Sequence, residues 1–264
     1  MLQPPLICCS STLSHIGKVR KLNEDAYLDR PDIGLWVVAD GMGGHAAGDM
    51  ASRLIVSTLN KLGPLESLPA FIDTVEERLQ LVNRELITRG LKRHQIIGST
   101  VVVLLVHGHQ CAYMWAGDSR AYLLRDGVLT QLTIDHSQVE IYVQLGIITR
   151  EEAATHPTAN MIIRAIGAEE HLTIDRGILE LQENDRYMLC SDGLYKHVTN
   201  PEIAQILPHG QPSKAAHALI EAALAGGGSD NVTVSVMDIT TQPTLAEPSP
   251  SGDDEDTARR VGLP

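Results

Sequence analysis

Aromatic side chains, positive charge, paired cysteines and long apolar runs are all scarce in this sequence, and each shortage excludes something. Aromatic residues make up 3% of the 264, with Phe71 the only phenylalanine, so a core has to be assembled from Val, Ile, Leu, Ala and Met. Lys and Arg number 21 against 33 Asp and Glu, a formal net charge of -12. Non-specific binding to nucleic acid or to an anionic membrane needs a cationic footprint, so neither is expected as a partner. Cys8 and Cys9 are adjacent, while Cys111 and Cys190 lie far off. No disulfide framework or Cys-x-x-Cys metal knuckle can be read from that spacing, and reduced thiols in a cytoplasmic protein are the expectation. The longest aliphatic run, Val101 to Val106, falls far short of the ~20 residues that span a bilayer. No membrane insertion is expected, and the N-terminus lacks the basic region of a secretory leader.

What is present reads as an ordinary soluble domain. The apolar set is 43% and the charged set 20%, close to average usage. One large domain is expected over residues 1–240. The last residues, 241–264, turn to Pro, Ser, Thr and acid, with the run Asp253-Asp254-Glu255-Asp256, and are expected to be a disordered tail. Strands are predicted at Leu6 to Thr12, Gly34 to Ala39, Thr100 to Val106, Cys111 to Ala116, Ala121 to Leu124, Val128 to Leu132, Leu172 to Glu180, Arg186 to Cys190 and Val232 to Met237. Apolar residues at helical spacing predict one helix from Ala47 to a stop at Gly63-Pro64. A second is predicted from Leu68 past Leu86 to a stop at Gly90, and a last one opens at Pro212. Ser137 to Ala168 is more polar and reads as a mobile insertion with short helices. Runs of strands broken by pairs of helices point to antiparallel sheets covered by helices, an α+β layered domain.

The chemistry sits where apolar strands meet acids. Asp40-Gly41 follows Trp36-Val37-Val38-Ala39, Asp192-Gly193 follows Tyr187-Met188-Leu189-Cys190-Ser191, and Asp230-Asn231 precedes the strand at Val232. Asp-Gly after an apolar run is by itself an ordinary turn. Asp40, however, opens Asp40-Gly41-Met42-Gly43-Gly44-His45, richer in glycine than a turn needs and open to close approach by a ligand. Asp118 ends a further strand, and Glu24-Asp25 adds two more carboxylates with Arg20 just upstream. Oxygen ligands at strand ends suit a hard divalent cation such as Mg²⁺ or Mn²⁺ that keeps several waters. An Arg beside them suits the bidentate grip of a phosphate.

Taken in order, eight segments resemble the metal-dependent protein phosphatases of the type 2C or PPM family, in their bacterial branch. They run from Gly17–Asp25, Ala39–Gly44, Gly98–Thr100 and Gly117–Arg120 to Asp135–Ser137, Arg164–Gly167, Ser191–Leu194 and Ser229–Thr233. The resemblance implies a four-layer α-β-β-α sandwich, two mostly antiparallel sheets flanked by helices, with the metal site at one end. It implies two ions, Mn²⁺ or Mg²⁺, with Asp40 bridging them, the Gly41 carbonyl completing the second, and Asp192 and Asp230 on the first. Glu24 and Asp25 would serve the second ion largely through water. Asp118 would hold a third, weaker ion, Arg20 would bind substrate phosphate, and residues 137–168 would form a flap beside the site.

The implied reaction is hydrolysis of phosphoserine and phosphothreonine in proteins by in-line attack of a metal-bridging water or hydroxide. Phosphoproteins are the implied partners, with a cognate bacterial Ser/Thr kinase whose work the enzyme reverses. Met42 stands where many eukaryotic members carry a His proposed as general acid, and a thioether donates no proton. His45, three residues on, is expected to have a local structural role. No cysteine is followed six positions later by Arg, and neither a Walker loop nor a Gly-x-Ser-x-Gly elbow occurs. The alternatives are a catalytically inactive phosphatase-fold module that binds or regulates a partner, and a phosphomonoesterase of small molecules.

Overall fold

The computed structural model of the chain describes residues 6–43 and 46–241. His45 and all but the first residue of the acidic tail lie outside them. Two antiparallel sheets form the centre. One pairs β1 (Leu6–His15), β11 (Val232–Thr241), β10 (Arg186–Cys190), β7 (Arg120–Arg125) and β8 (Val128–Gln131) in that order. The other runs β2 (Asp25–Arg30), β3 (Leu35–Met42), β5 (Val101–His107), β6 (Gln110–Ala116) and β9 (Asp175–Glu180), with the short β4 (Gly98–Ser99) also on β3. Helices α1 (Ala46–Leu59) and α2 (Leu68–Arg93) cover the second sheet. The first is covered by α5 (Asp192–Tyr195), α6 (Asn200–Ile206) and α7 (Pro212–Ala225), and α3 (Gln138–Gln144) and α4 (Arg150–Thr155) lie in the 137–168 insertion.

The period of two along each strand sorts the apolar residues into three cores, and three cores make four layers. Trp36, Val38, Val102, Leu104, Tyr187, Leu189, Met237 and Ile239 meet between the sheets. Their neighbours Leu35, Val37, Ala39, Val101, Val103 and Leu105 face α1 and α2. Met188, Cys190, Val232, Val234 and Val236 face the other helices. Aliphatic side chains do carry most of this packing. The buried Trp36 satisfies its one polar atom by donating from Nε1 to Asp29 Oδ1 at 2.9 Å. Ser10 and Thr12 of β1 donate to the same carboxylate at 2.6 and 2.9 Å, which ties the edges of the two sheets together.

Several boundaries differ from the sequence reading. Helix α2 runs through Gly90 to Arg93, and the stop is His94 in the left-handed region at φ 54°. Gly90 is needed for packing instead, because a Cβ there would stand 2.7 Å from the Gln95 carbonyl oxygen. β9 begins at Asp175, while Leu172 and Ile174 are buried ahead of it without strand pairing. β2 was not foreseen, since Asp-Ala-Tyr-Leu-Asp-Arg has weak alternation and is drawn into the sheet by its register with β3. The short α5 and α6 were likewise missed. Asp40-Gly41 lies inside β3, with Asp40 opposite Asp25 and Gly41 opposite Ser99, so it is no turn.

Candidate active site

The strand ends bring the six carboxylates to one edge of the sandwich. Asp25 and Asp40 are cross-strand partners. Asp192 opens α5 immediately after β10, and Asp230 precedes β11. A cavity of about 1010 Å³ opens there, lined by Arg20, Glu24, Asp40, Gly41, Asp192 and Asp230, with Met42, Met161 and Lys196 also on its wall. Asp25 and Asp118 are buried, 7% and 4% exposed. The adjacent Glu24 and Asp25 diverge. Asp25 turns its Oδ2 toward hydroxyls of Ser191 and Thr233, which donate at 2.8 and 2.7 Å. Glu24 stays by Gly48 of α1, where an added Cβ would stand 2.4 Å from Glu24 Oε1.

The surrounding motif residues brace these acids. The Asp40 carbonyl accepts from Thr100 N at 2.8 Å and from Ser99 Oγ at 2.9 Å, and Asp40 N donates to Thr100 Oγ1. Thr100 Oγ1 also meets Ser119 Oγ at 2.7 Å, so the Gly98–Thr100 segment joins Asp40 to the Asp118 turn. Gly41 has to be glycine, because a Cβ would stand 2.1 Å from the Gly48 carbonyl oxygen. Asn231 Oδ1 accepts from Glu24 N at 2.8 Å while its Nδ2 donates to the Ile16 and Leu22 carbonyls. One buried amide thereby fixes the loop that carries Arg20. Tyr195 Oη donates to Asp118 at its carbonyl and Oδ2. The Arg120 guanidinium lies 3.5 Å above the Tyr195 ring and pairs with Asp135 at 2.7 Å.

His136, in the Asp135–Ser137 segment, straps the same turn. Its Nδ1 accepts from Gly117 N at 3.1 Å and its backbone N–H donates to the Gly117 carbonyl. The ring proton therefore belongs on Nε2, which faces Asp175 Oδ2 at 3.1 Å. Arg164, from the end of the insertion, holds the other oxygen of Asp175 at 2.7 Å. Burial, the largest influence, holds the His136 imidazole below its usual pKa, so it is neutral at pH 7.

Electrostatically the cluster is under-compensated. Burial, then Asp25, Asp192, Asp118 and Asp230, raise the Asp40 carboxyl well above its ordinary value. Burial pushes Asp25 and Asp118 up to about 7 each, and burial likewise raises Glu24. Two cationic side chains respond. Arg20 Nη2 donates to Asp230 Oδ2 at 2.8 Å with its side chain half exposed. Lys196 Nζ pairs with Asp192 Oδ2. Burial pulls the Lys196 ammonium down, but Asp192, Asp118 and Asp230 together outweigh it, so its pKa stands above the usual value. The sequence reading gave Ser191, Asn231 and Thr233, which lie in its motif segments, no role, and missed Lys196 and Tyr195 altogether. The one signal available for Lys196 was its i,i+4 spacing from Asp192.

The donor set fits divalent cations. Oε1 of Glu24 and Oδ1 of Asp25, Asp118 and Asp192 are buried without a hydrogen-bond partner among the described residues, although buried polar atoms ordinarily find one. Four orphaned oxygens on four carboxylates at one edge are what a hard cation would satisfy. No group of three or more His, Cys, Asp or Glu side chains among the described residues is placed to hold a metal ion by itself, so the fit rests on the orphaned oxygens alone.

A family profile described as Protein phosphatase 2C matches residues 14–223. The chain belongs to the protein phosphatase 2C family. Among relatives, the serine/threonine protein phosphatase PstP of Mycobacterium tuberculosis is 38% identical over 97% of this chain and 50% of its own length. This phosphatase 2C chain thus spans about half of that relative. The serine/threonine phosphatase stp of Listeria monocytogenes is 34% identical over 84% of this chain and 92% of its own. Of solved structures, PppA, described as a key regulatory component of T6SS in Pseudomonas aeruginosa, superposes with TM-score 0.82 at 41% identity, covering 88% of this chain and 98% of PppA. The catalytic domain of PstP in complex with two manganese ions superposes with TM-score 0.80 at 37% identity, covering 89% of this chain and 99% of that one. The two sheets flanked by helices are the sandwich the resemblance implied.

Proposed function

We propose that this chain is a metal-dependent protein serine/threonine phosphatase that opposes a Ser/Thr kinase in the cytoplasm. The observation that carries the reading is the set of four orphaned carboxylate oxygens under a cavity edged by Arg20. Asp40, Asp192 and Asp230 would hold a first divalent ion, and Asp40, the Gly41 carbonyl and Glu24 a second; Asp118, which the resemblance gives to a third, weaker ion, belongs to neither set. Asp25 shares this buried cluster and, with Glu24, would serve the second ion largely through water. Bound Mn²⁺ or Mg²⁺ supplies an activated water at neutral pH and neutralises charge on the phosphoryl group.

The protein's own groups do the rest. Asp230 orients the Arg20 guanidinium toward the cavity, and a planar fork with two parallel N–H donors matches two phosphate oxygens. Ser99 and Thr100 hold the Asp40 peptide rigid, so the carboxylate is placed before substrate arrives. Pro157, Thr158, Met161 and Ile162 of the insertion line the cavity wall, an apolar and neutral surface suited to peptide flanking a phosphorylated residue. That wall favours a protein substrate over a small phosphomonoester, and the full set of carboxylates disfavours an inactive binding module. Met42 lines the cavity too, and its thioether has no proton to give the departing alkoxide. The test is hydrolysis of matched phosphothreonine and phosphotyrosine peptides with Mn²⁺, with Mg²⁺ and with EDTA. Turnover of phosphothreonine with either metal and none in EDTA is expected. Equal turnover in EDTA would overturn the reading.

A further inference from the structure

We infer that the Lys196 ammonium is a built-in cation holding the place, between Asp192 and Asp118, that a third divalent ion would take. The inference rests on the metal-dependent reading above and sharpens its stoichiometry: two ions bind and Lys196 stands in for the other. Lys196 directly follows α5, one helical turn after Asp192, and the i,i+4 spacing puts the two side chains on the same side. The two oxygens of Asp192 then divide their work. Oδ2 is taken by Lys196 Nζ, while Oδ1 is buried and unpartnered, free for the ion shared with Asp40.

Asp118 is the other half of the place. It is 4% exposed, Tyr195 occupies its Oδ2, and its Oδ1 has no partner among the described residues. Lys196 lines the cavity with Asp192, its neighbour Tyr195 holds Asp118, and the Lys196 charge acts on Asp118 as well as on Asp192. A divalent ion entering between these carboxylates would meet that fixed positive charge and would have to displace it from Asp192 Oδ2. A tethered ammonium is also present at every metal concentration, whereas a weak third ion is not. The lysine therefore steadies Asp118 and Asp192 without a third ion.

The experiment counts Mn²⁺ ions on the full chain, stripped with EDTA and dialysed, by isothermal titration and by equilibrium dialysis with elemental analysis. Wild type is expected to bind two. Lys196→Met, which keeps the stem and removes the charge, is expected to bind three, or to bind the weakest ion at least tenfold tighter. Lys196→Arg, which keeps the charge, should remain at two, and Lys196→Met with Asp118→Asn should return to two. Circular dichroism checks each fold, and Lys196→Gln replaces the Met variant if that one fails to fold. Equal number and affinity of ions in wild type and in the uncharged variants would overturn the inference while leaving the metal site intact. Three ions on wild type would do the same. No binding by wild type would instead overturn the metal-dependent reading itself.

Discussion

Asp25→Asn is expected to make the metal-free protein more stable and the metal-loaded protein less so. Asp25 is 7% exposed, its Oδ2 accepts two hydroxyl hydrogen bonds, and its Oδ1 has none among the described residues. Burial, opposed by those hydroxyls and reinforced by Asp192 and Asp230, raises its pKa from 3.8 to about 7. A carboxylate raised in the folded state favours folding at low pH, and that stability is lost as pH climbs from about 4 to about 7. At ~1.4 kcal/mol per unit, the charge costs the folded protein about 4 kcal/mol at pH 8. An amide of the same shape keeps the hydroxyl contacts and carries no charge. Part of the gain is cancelled because its NH₂ enters a buried position, which costs about 1–3 kcal/mol if left unpaired. A net gain of about 1–3 kcal/mol remains, or roughly 2–10 °C in Tm for a domain of this size. The assay is thermal unfolding in EDTA at pH 8 and pH 5, repeated with Mn²⁺. The advantage of the variant should fall by more than half at pH 5, where Asp25 is protonated in the folded wild type, and should reverse with saturating Mn²⁺. No gain at pH 8 in EDTA, or the same gain at both pH values, would refute the claim that an uncompensated charge is stored at Asp25.

Asp40→Asn, still folded by circular dichroism, should lose both phosphopeptide hydrolysis and tight Mn²⁺ binding, and full turnover by this variant would contradict the assigned ligand set. Arg20→Ala should lower kcat/KM on a phosphothreonine peptide by roughly 30- to 150-fold, the loss of about 2–3 kcal/mol of charge-assisted contact. Its Mn²⁺ stoichiometry by titration should not change. Gly48→Ala should weaken Mn²⁺ binding, because the new Cβ would sit 2.4 Å from Glu24 Oε1 and 2.8 Å from the Gly41 carbonyl. A variant that binds as tightly as wild type would show that the carboxylate can move aside without cost. Mn²⁺ at about 100 times its Kd should stabilise the wild type by about 2.7 kcal/mol per site, read as a rise in Tm that EDTA reverses.

How far the sequence reached can be traced residue by residue. The unbroken apolar runs of Leu35 to Ala39 and Val101 to Leu105 determined which strands are buried on both faces, because successive side chains along a strand point to opposite faces. The order of the acidic motifs determined the family and the set of candidate ligands. Chain length and the scarcity of aromatics determined an aliphatic core. Tertiary structure alone decided that Asp40-Gly41 sits within a strand, since the partner that extends β3, Ser99, lies far along the chain. It also decided that Glu24 and Asp25 diverge, that Asn231 clamps the Arg20 loop, and that His136 and Arg164 meet at Asp175. Lys196 is the clearest case. Its spacing from Asp192 was visible, but its meaning depends on Asp118, brought beside it from β6 and β7 by the packing of two sheets. Local periodicity sets which way a side chain points, whereas the charge it finds there is set by residues far away in sequence.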